Sequence, residues 1–503
     1  MSASQEKKTR VGQRDGGAGK HNGAMTEEEK KSRAFRRNTI IVIVAVVVIV
    51  ALSLIITSDL LYRNTTAVTV TTASGTTKYS PAELDVFYRN TFNSIYSSYG
   101  DFASYLIDTS TPLSEQSYTE DMTWADYIYE QTLTSMKQIT AVYDDAVANG
   151  YTLPEELSAD VDGQMETLSL YASMYGFSSA DSYLAQVYGK GVNTQVFRSV
   201  LTRMETAQGY SESIRAGFTY DASALDTYYN ENADDLDVFT YYAYTVYTSD
   251  AAFADMSEEE QKTAARAAAE EIALAADGED FAARVNEFNG SEASETNTSG
   301  ASLNSNYRDW MLSADRQAGD TTVADTDNGS IAVLFLERSD NSYLLRSMRH
   351  ILINAEADDE GNYSDEALAA AESRIAEIET EWLETPTEDN FAALANLYSD
   401  DTGSNTSGGL YENIYRHQMV APIDSFLFAE GRQSGETTKV YSGESAGYQG
   451  WHLVYYVGEG EQTYREFLAD NALRSADYTA WEDGLTGVAT VNAGGGLRYA
   501  NLT

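Results

Sequence analysis

Cysteine is absent from all 503 residues, so disulfides, thiolate metal sites, a cysteine nucleophile and a lipidated N-terminal cysteine are excluded and stability rests on packing. Histidine is nearly as scarce. The four present, His21, His350, His417 and His452, leave no material for a histidine-rich metalloenzyme, and no metal ligand is assigned. Basic residues are also few, 33 against 78 acidic ones, for a net charge of −45. That deficit is uneven: residues 1–37 hold ten Lys/Arg and five Asp/Glu, and everything after them carries the acidic excess. Such an excess repels phosphate backbones, so nucleic acid is not an expected partner. It suits the solvated surface of a secreted domain. An apolar content of 43% supports real cores, and the length fits about three or four domains.

Charge is missing altogether from one stretch of 21 residues, "NTIIVIVAVVVIVALSLIITS" at 38–58. At about 1.5 Å per residue a helix there covers roughly 30 Å, one hydrocarbon core. It is too long for a signal-peptide core and no A-x-A-like site follows, which predicts an uncleaved transmembrane signal anchor. Lys30, Lys31, Arg33, Arg36 and Arg37 crowd its N-terminal side, and only Arg63 stands close on the other. The expected placement is therefore a single-pass cell-membrane protein with a cytoplasmic, disordered basic tail (1–37) and an extracytoplasmic remainder. ATP is not expected there.

Residues 59–80 read as a polar stalk with one strand, "AVTVTT". Ser80-Pro81-Ala82-Glu83 is a capping box that opens a helical module over 81–232. Helices are predicted at 81–107, 123–149, 154–175, 179–189, 193–217 and 221–232. The module has no histidine. Its tyrosines, among them Tyr171, Tyr175, Tyr183, Tyr188, Tyr228 and Tyr229, either pack helices together or line a cradle for amphipathic peptides.

The chain then repeats itself. "RQAGDTTV" from Arg316 returns as "RQSGETTKV" from Arg432, "FAARVNEFNG" from Phe281 as "FAALANLYSD" from Phe391, and "SGASL" from Ser299 as "SGGLY" from Ser407. Each copy reads strand, helix, helix, strand, strand, a small α+β module. In the first, Asn328-Gly329 marks a hairpin between "TTVADTD" and "SIAVLFLE". In the second, "LLRSMRHILI" is a strand, 365–383 a helix with apolar residues at three-four spacing, and "GWHLVYYVG" the last strand. A further helix is expected at 461–485, and a weakly structured tail at 486–503.

In the second copy "RHILI", "YSDDTGS", "SGGLY", "HQMV", "IDSFLF", "GETTKV" and "GWHLVYY" follow one another over about 115 residues. In that order and spacing they resemble the parvulin family of peptidyl-prolyl cis-trans isomerases. The whole layout is similar to extracytoplasmic foldases of the PrsA and SurA type, in which helices on both sides of the isomerase form a chaperone module. The resemblance implies an α+β fold class: an N-terminal transmembrane helix, a helical chaperone module with the 461–485 helix packed on it, and two tandem parvulin-like modules, 236–340 and 344–460.

Rotation about an X-Pro bond faces a barrier of about 18–20 kcal/mol set by amide resonance, so an isomerase needs neither nucleophile nor cofactor. It needs a dry grip on the proline ring and polar groups that favour the twisted amide. By resemblance the polar set is His350, Asp401 and His452, with Asp401 where some relatives have Cys. The pocket set is Met419, Ile423, Phe428, Leu410 and Trp451; the family usually has Phe where Ile423 stands. His417 lies where the family tends to have Gly and receives no role. The first copy offers "YYAYTVY", "FNGS" and "SIAV" against the three polar motifs, so it is expected to keep the fold and lack the activity. The implied function is a membrane-anchored foldase and isomerase acting on newly exported or unfolded chains with X-Pro bonds. The alternative is an ATP-independent holdase with a vestigial site.

Overall fold

The computed structural model describes residue 36 and residues 39–50, 58–358, 360–443 and 448–502. The expected anchor at 38–58 lies partly outside these: residues 39–50 are helical, and 38 and 51–57 are not described. Among the described residues no helix is long and apolar enough to cross a membrane. The basic tail, apart from Arg36, also lies outside the described residues. The chain divides into two compact units, Met1–Ser213 with Trp481–Thr503, and Ile214–Ala480.

The first unit opens with a hairpin, β1 (Val68–Thr71) and β2 (Thr76–Tyr79). Its third strand comes from the far end of the chain: Thr490–Ala493 pairs antiparallel with β1, Val68 opposite Ala493. The strand expected in the stalk is β1; β2 and the strand in the tail are not among the expected elements. Val68 and Val70 are fully buried with Tyr79, Leu84 and Phe87. A pairing across the whole chain leaves no local signal, so the strand in the tail is not legible from its own residues. The helices follow the predicted order: α1 (Pro81–Ser98), α2 (Trp124–Ala148), α3 (Glu155–Met174), α4 (Ala180–Val187) and α5 (Thr194–Gly217). At the start of α1 the Ser80 backbone N–H donates to Glu83 at 2.7 Å and the Glu83 N–H to Ser80 Oγ at 3.3 Å, the reciprocal cap that the sequence announces.

In the second unit α6 (Ala222–Glu231) precedes the two repeats. Sequence reasoning assigns this helix to the helical module; instead Leu225 and Tyr229 pack with Ala469 of α12 (Tyr464–Gly487), inside the second unit. The first repeat is β3 (Val238–Tyr247), α7 (Glu258–Ile272), α8 (Gly278–Asn289), β4 (Thr296–Ser299), β5 (Thr321–Thr326) and β6 (Gly329–Ser339). The second is β7 (Leu344–Asn354), α9 (Asp365–Glu384), α10 (Glu388–Tyr398), β8 (Leu410–Ile414), α11 (Ala421–Leu427), β9 (Thr437–Ser442) and β10 (Gly450–Thr463). The sheets run β4-β3-β6-β5 and β8-β7-β10-β9, the same topology twice. The two modules meet at Asn341, fully buried at φ 57°. Its side-chain amide donates to Tyr229 Oη (3.0 Å) and to the Leu236 carbonyl (2.9 Å), and the Asn341 backbone carbonyl accepts the Arg465 backbone N–H at 2.9 Å.

Each sheet is covered on both faces. Alternation along β10 sends Leu453 and Tyr455 toward α9 and α10, where Ile351, Ile375, Trp382 and Phe391 close the core. Val454 and Tyr456 go to the other face, against Met348, Ile414, Ile423, Leu427 and Phe428.

One difference between the repeats bears on function. The shared "NTSG" is strand β4 in the first copy but a 3-10 turn, Asn405–Ser407, in the second, where the paired strand starts three residues later at Leu410. Gly408 and Gly409, at φ 67° and 69°, carry the chain from turn to strand. A Cβ on Gly409 would lie 2.2 Å from the His350 carbonyl oxygen. The first copy has Ala301 in that place, and its chain cannot make so close an approach.

Candidate active site

His350 on β7 and His452 on β10 point to the sheet face opposite α9 and α10, because each is one residue out of phase with the helix-facing set. Both are buried, at 6% and 3% exposure. His350 Nδ1 lies 3.3 Å from His452 Nδ1, and His350 Nε2 lies 2.8 Å from Asp401 Oδ2. Asp401 follows α10, and the same oxygen also accepts the hydroxyls of Ser404 and, at 3.0 Å, Tyr411. Its second oxygen accepts the Gly403 N–H at 3.1 Å. At the other end His452 Nε2 lies 3.2 Å from both Ser442 Oγ and Tyr448 Oη.

These contacts fix the proton positions. Hydrogen bonds from Ser404, His350 and Tyr411 outweigh the upward push of burial and hold Asp401 down at about 2. As an ionised acceptor it requires a proton on His350 Nε2. Burial lowers His350 despite its acidic neighbour, and burial with the His350 charge lowers His452 to about 4, so both rings are neutral at pH 7. His350 Nδ1 therefore accepts, His452 Nδ1 donates, and His452 Nε2 is left as an acceptor with the Tyr448 hydroxyl in reach, the Ser442 hydroxyl donating to the Gly450 carbonyl. The chain of donors runs one way and ends on a single carboxylate.

Beside it lies the apolar set. Ile423 and Phe428 are buried and Met419 is half-buried in one cluster with Met348, Ile414 and Val454. Tyr343 meets the Phe428 ring edge-on at 5.5 Å, and the Arg416 guanidinium stands 4.9 Å from its centroid. Two residues proposed for the pocket are elsewhere. Trp451 alternates to the opposite face and packs with the α9–α10 core. Leu410 is paired with Arg349, whose side chain reaches Glu388 of α10, so it too faces the helices. The neighbour of Leu410, Tyr411, occupies the site face and packs on the apolar cluster. Ser404 and Tyr411 close the segments "YSDDTGS" and "SGGLY" but receive no role from the sequence, and Ser442 and Tyr448 lie outside every motif. For Tyr411 the signal available was strand alternation from Leu410. His417 is exposed at φ 65°, the left-handed conformation that explains glycine at this place in the resembling family. Its N–H donates to the buried Asp424 at 2.6 Å.

Superposing the strand registers equates His350 with Ala243 and His452 with Ile331: Val454 pairs with His350 as Val333 pairs with Ala243. The helix repeat puts Ser291 at the place of Asp401. The first copy thus has an apolar face, Phe239, Tyr241, Ile331, Val333 and Phe335, where the second has its polar chain.

The arrangement holds a fixed negative charge at the edge of an apolar surface. In a planar amide, resonance places negative charge on the carbonyl oxygen, and twisting the C–N bond withdraws it. A carboxylate held near that oxygen disfavours the planar form and so lowers the rotational barrier. No proton or electron pair needs to move.

The family described as Rotamase, PPIC-type PPIase domain, matches residues 350–458. Among solved structures the chain is similar to peptidylprolyl isomerase (PrsA) from Bacillus anthracis, with 18% identity over 29% of this chain and 59% of that one, at a TM-score of 0.17. The chain thus spans under two thirds of that protein's length. No curated protein matches it. The second α+β module, residues 350–458, is a parvulin-type peptidyl-prolyl cis-trans isomerase domain.

Proposed function

We propose that the protein is a membrane-anchored, extracytoplasmic peptidyl-prolyl cis-trans isomerase and foldase that assists the folding of exported chains. The observation that carries the catalytic part is the one-way chain from His452 through His350 to Asp401, set against the apolar cluster of Met419, Ile423 and Phe428. Anchoring is supported by the 21-residue uncharged run, by its basic N-terminal flank, and by the exposure of Ile40 to Val44 along the helical stretch 39–50. The first repeat, without the acid and both histidines, serves as an inactive spacer or peptide contact. In a proline-limited refolding assay the wild-type protein accelerates the slow phase, and Asp401→Ala and His350→Ala slow it toward the uncatalysed rate. Equal, uncatalysed rates for all three would refute the enzymatic reading. Protease protection of the 1–37 tail in sealed cells tests the orientation.

A holdase role is favoured by one observation. Leu170, Tyr171, Met174 and Tyr175 at the end of α3 are all exposed, Leu170 and Tyr175 at 65%. Such a row costs solubility unless it meets apolar segments of other chains.

A further inference from the structure

Asp401 accepts from His350 and also from Ser404, Tyr411 and the Gly403 N–H, and Tyr411 is the unexpected donor. Its hydroxyl lies 3.0 Å from Asp401 Oδ2, and its ring meets that of His350 edge-on at 5.2 Å. One side chain therefore touches both the acid and the imidazole that shares its oxygen. The backbone is shaped to bring it there. Gly408 and Gly409 start β8 late, the His350 N–H donates to the Gly409 carbonyl at 2.9 Å, and Tyr411 falls opposite Met348 on the site face. In the first repeat the strand comes before the glycine, and the residue opposite Tyr241, the equivalent of Met348, is Thr296. The copy without an acid also lacks the tyrosine.

We infer that Tyr411 is a positioning residue of the isomerase site: with Ser404 it holds the Asp401 carboxylate turned so that one oxygen faces His350. This rests on the isomerase reading above. Without the Tyr411 hydroxyl the carboxylate loses a donor, becomes more basic, and draws His350 toward its protonated form. The direction of the hydrogen-bond chain then ceases to be fixed, since an imidazolium His350 donates to His452 instead of accepting from it. Both effects weaken the negative charge offered to the substrate amide.

The test is Tyr411→Phe in the full-length protein, which keeps the ring and its packing. Isomerisation of an X-Pro peptide is followed by exchange NMR between pH 4 and 8, and the His350 ring nitrogens are followed by ¹⁵N NMR in the same samples. The expected result is a fall in kcat/KM of about tenfold with KM little changed, an acid limb moved up by about one pH unit, and a matching upward shift of the His350 titration. Ser404→Ala, which removes a donor from the same oxygen, moves both readouts in the same direction and replaces Tyr411→Phe should that variant fail to fold. An active wild type whose pH profile and His350 titration are unaltered in both variants would overturn this inference alone. A wild type with no isomerase activity would overturn the isomerase reading and Tyr411's role with it.

Discussion

Replacing Gly409 by alanine isolates the feature that separates the two repeats. At φ 69° any L-residue bears the left-handed penalty, about 1–2 kcal/mol. Gly431, at φ 76° in the same module, has nothing within 4 Å of a built Cβ, so Gly431→Ala carries that penalty and nothing else. At Gly409 the Cβ would stand 2.2 Å from the His350 carbonyl oxygen and 3.1 Å from Ala395 Cβ. Backbone cannot swing away as a side-chain end can, so β8 must leave β7 by about 1 Å, which breaks the 2.9 Å bond from His350 N–H to the Gly409 carbonyl. A buried unmet donor adds about 1–3 kcal/mol. The total is about 2–5 kcal/mol against about 1–2 for the control. At roughly 4–8 °C per kcal/mol for a module of this size, Gly409→Ala lowers its calorimetric Tm by about 4–24 °C more than Gly431→Ala does. Because the shift also carries Tyr411 and His350 apart, isomerase activity falls with Gly409→Ala and persists with Gly431→Ala below either transition. Equal Tm losses, or full activity in folded Gly409→Ala, would show that the close approach is not what shapes the site.

Further tests follow from the same structure. His452 titrates in the folded chain at about 4, below the unfolded 6.5, so between those values the unfolded chain binds more protons and stability is lost as pH falls. The loss is on the order of 3 kcal/mol, and urea midpoints of the second unit at pH 7 and pH 4.5 measure it; identical midpoints would contradict the assigned neutral rings. Asp85 has the opposite sign. Buried, with the Asn501 N–H bonded to its Oδ1 at 2.6 Å and, among the described residues, no partner for Oδ2, it is pushed up to about 7. Its contribution is full below the unfolded 3.8 and lost as pH rises through 7, so Asp85→Asn stabilises the first unit at pH 8 and flattens its pH dependence, as calorimetry will show. Asn341→Ala removes two buried bonds and costs about 2–3 kcal/mol in urea melts of the second unit. Leu170→Ser with Met174→Ser leaves stability within about 0.5 kcal/mol and weakens suppression of aggregation of an unrelated unfolded protein, if the exposed row on α3 binds clients.

The local features were legible in the linear chain because short-range chemistry sets them. Ser80 and Glu83 are three residues apart and find each other in any helix that starts there. The tandem repeat, the strand histidines and Asp401 stood out through residue order, and His350, Asp401 and His452 do meet. What the linear chain could not settle was which face a strand turns and which distant segments pair. Trp451 is a neighbour of His452 in sequence and lies across the sheet from it, because side chains alternate and both faces are buried. Leu410, expected in the pocket, turns away and its neighbour Tyr411 takes the site face for the same reason, and the two glycines that set that register look like any flexible turn until Gly409 is seen against the His350 carbonyl. The tail at 490–493 becomes sheet only because β1, more than 400 residues away, offers it an unpaired edge. Composition and local periodicity decided the elements and the chemistry on offer. Only tertiary contact decided which of those groups share a carboxylate, since hydrogen bonding and close packing act between atoms that are near in space, whatever their distance along the chain.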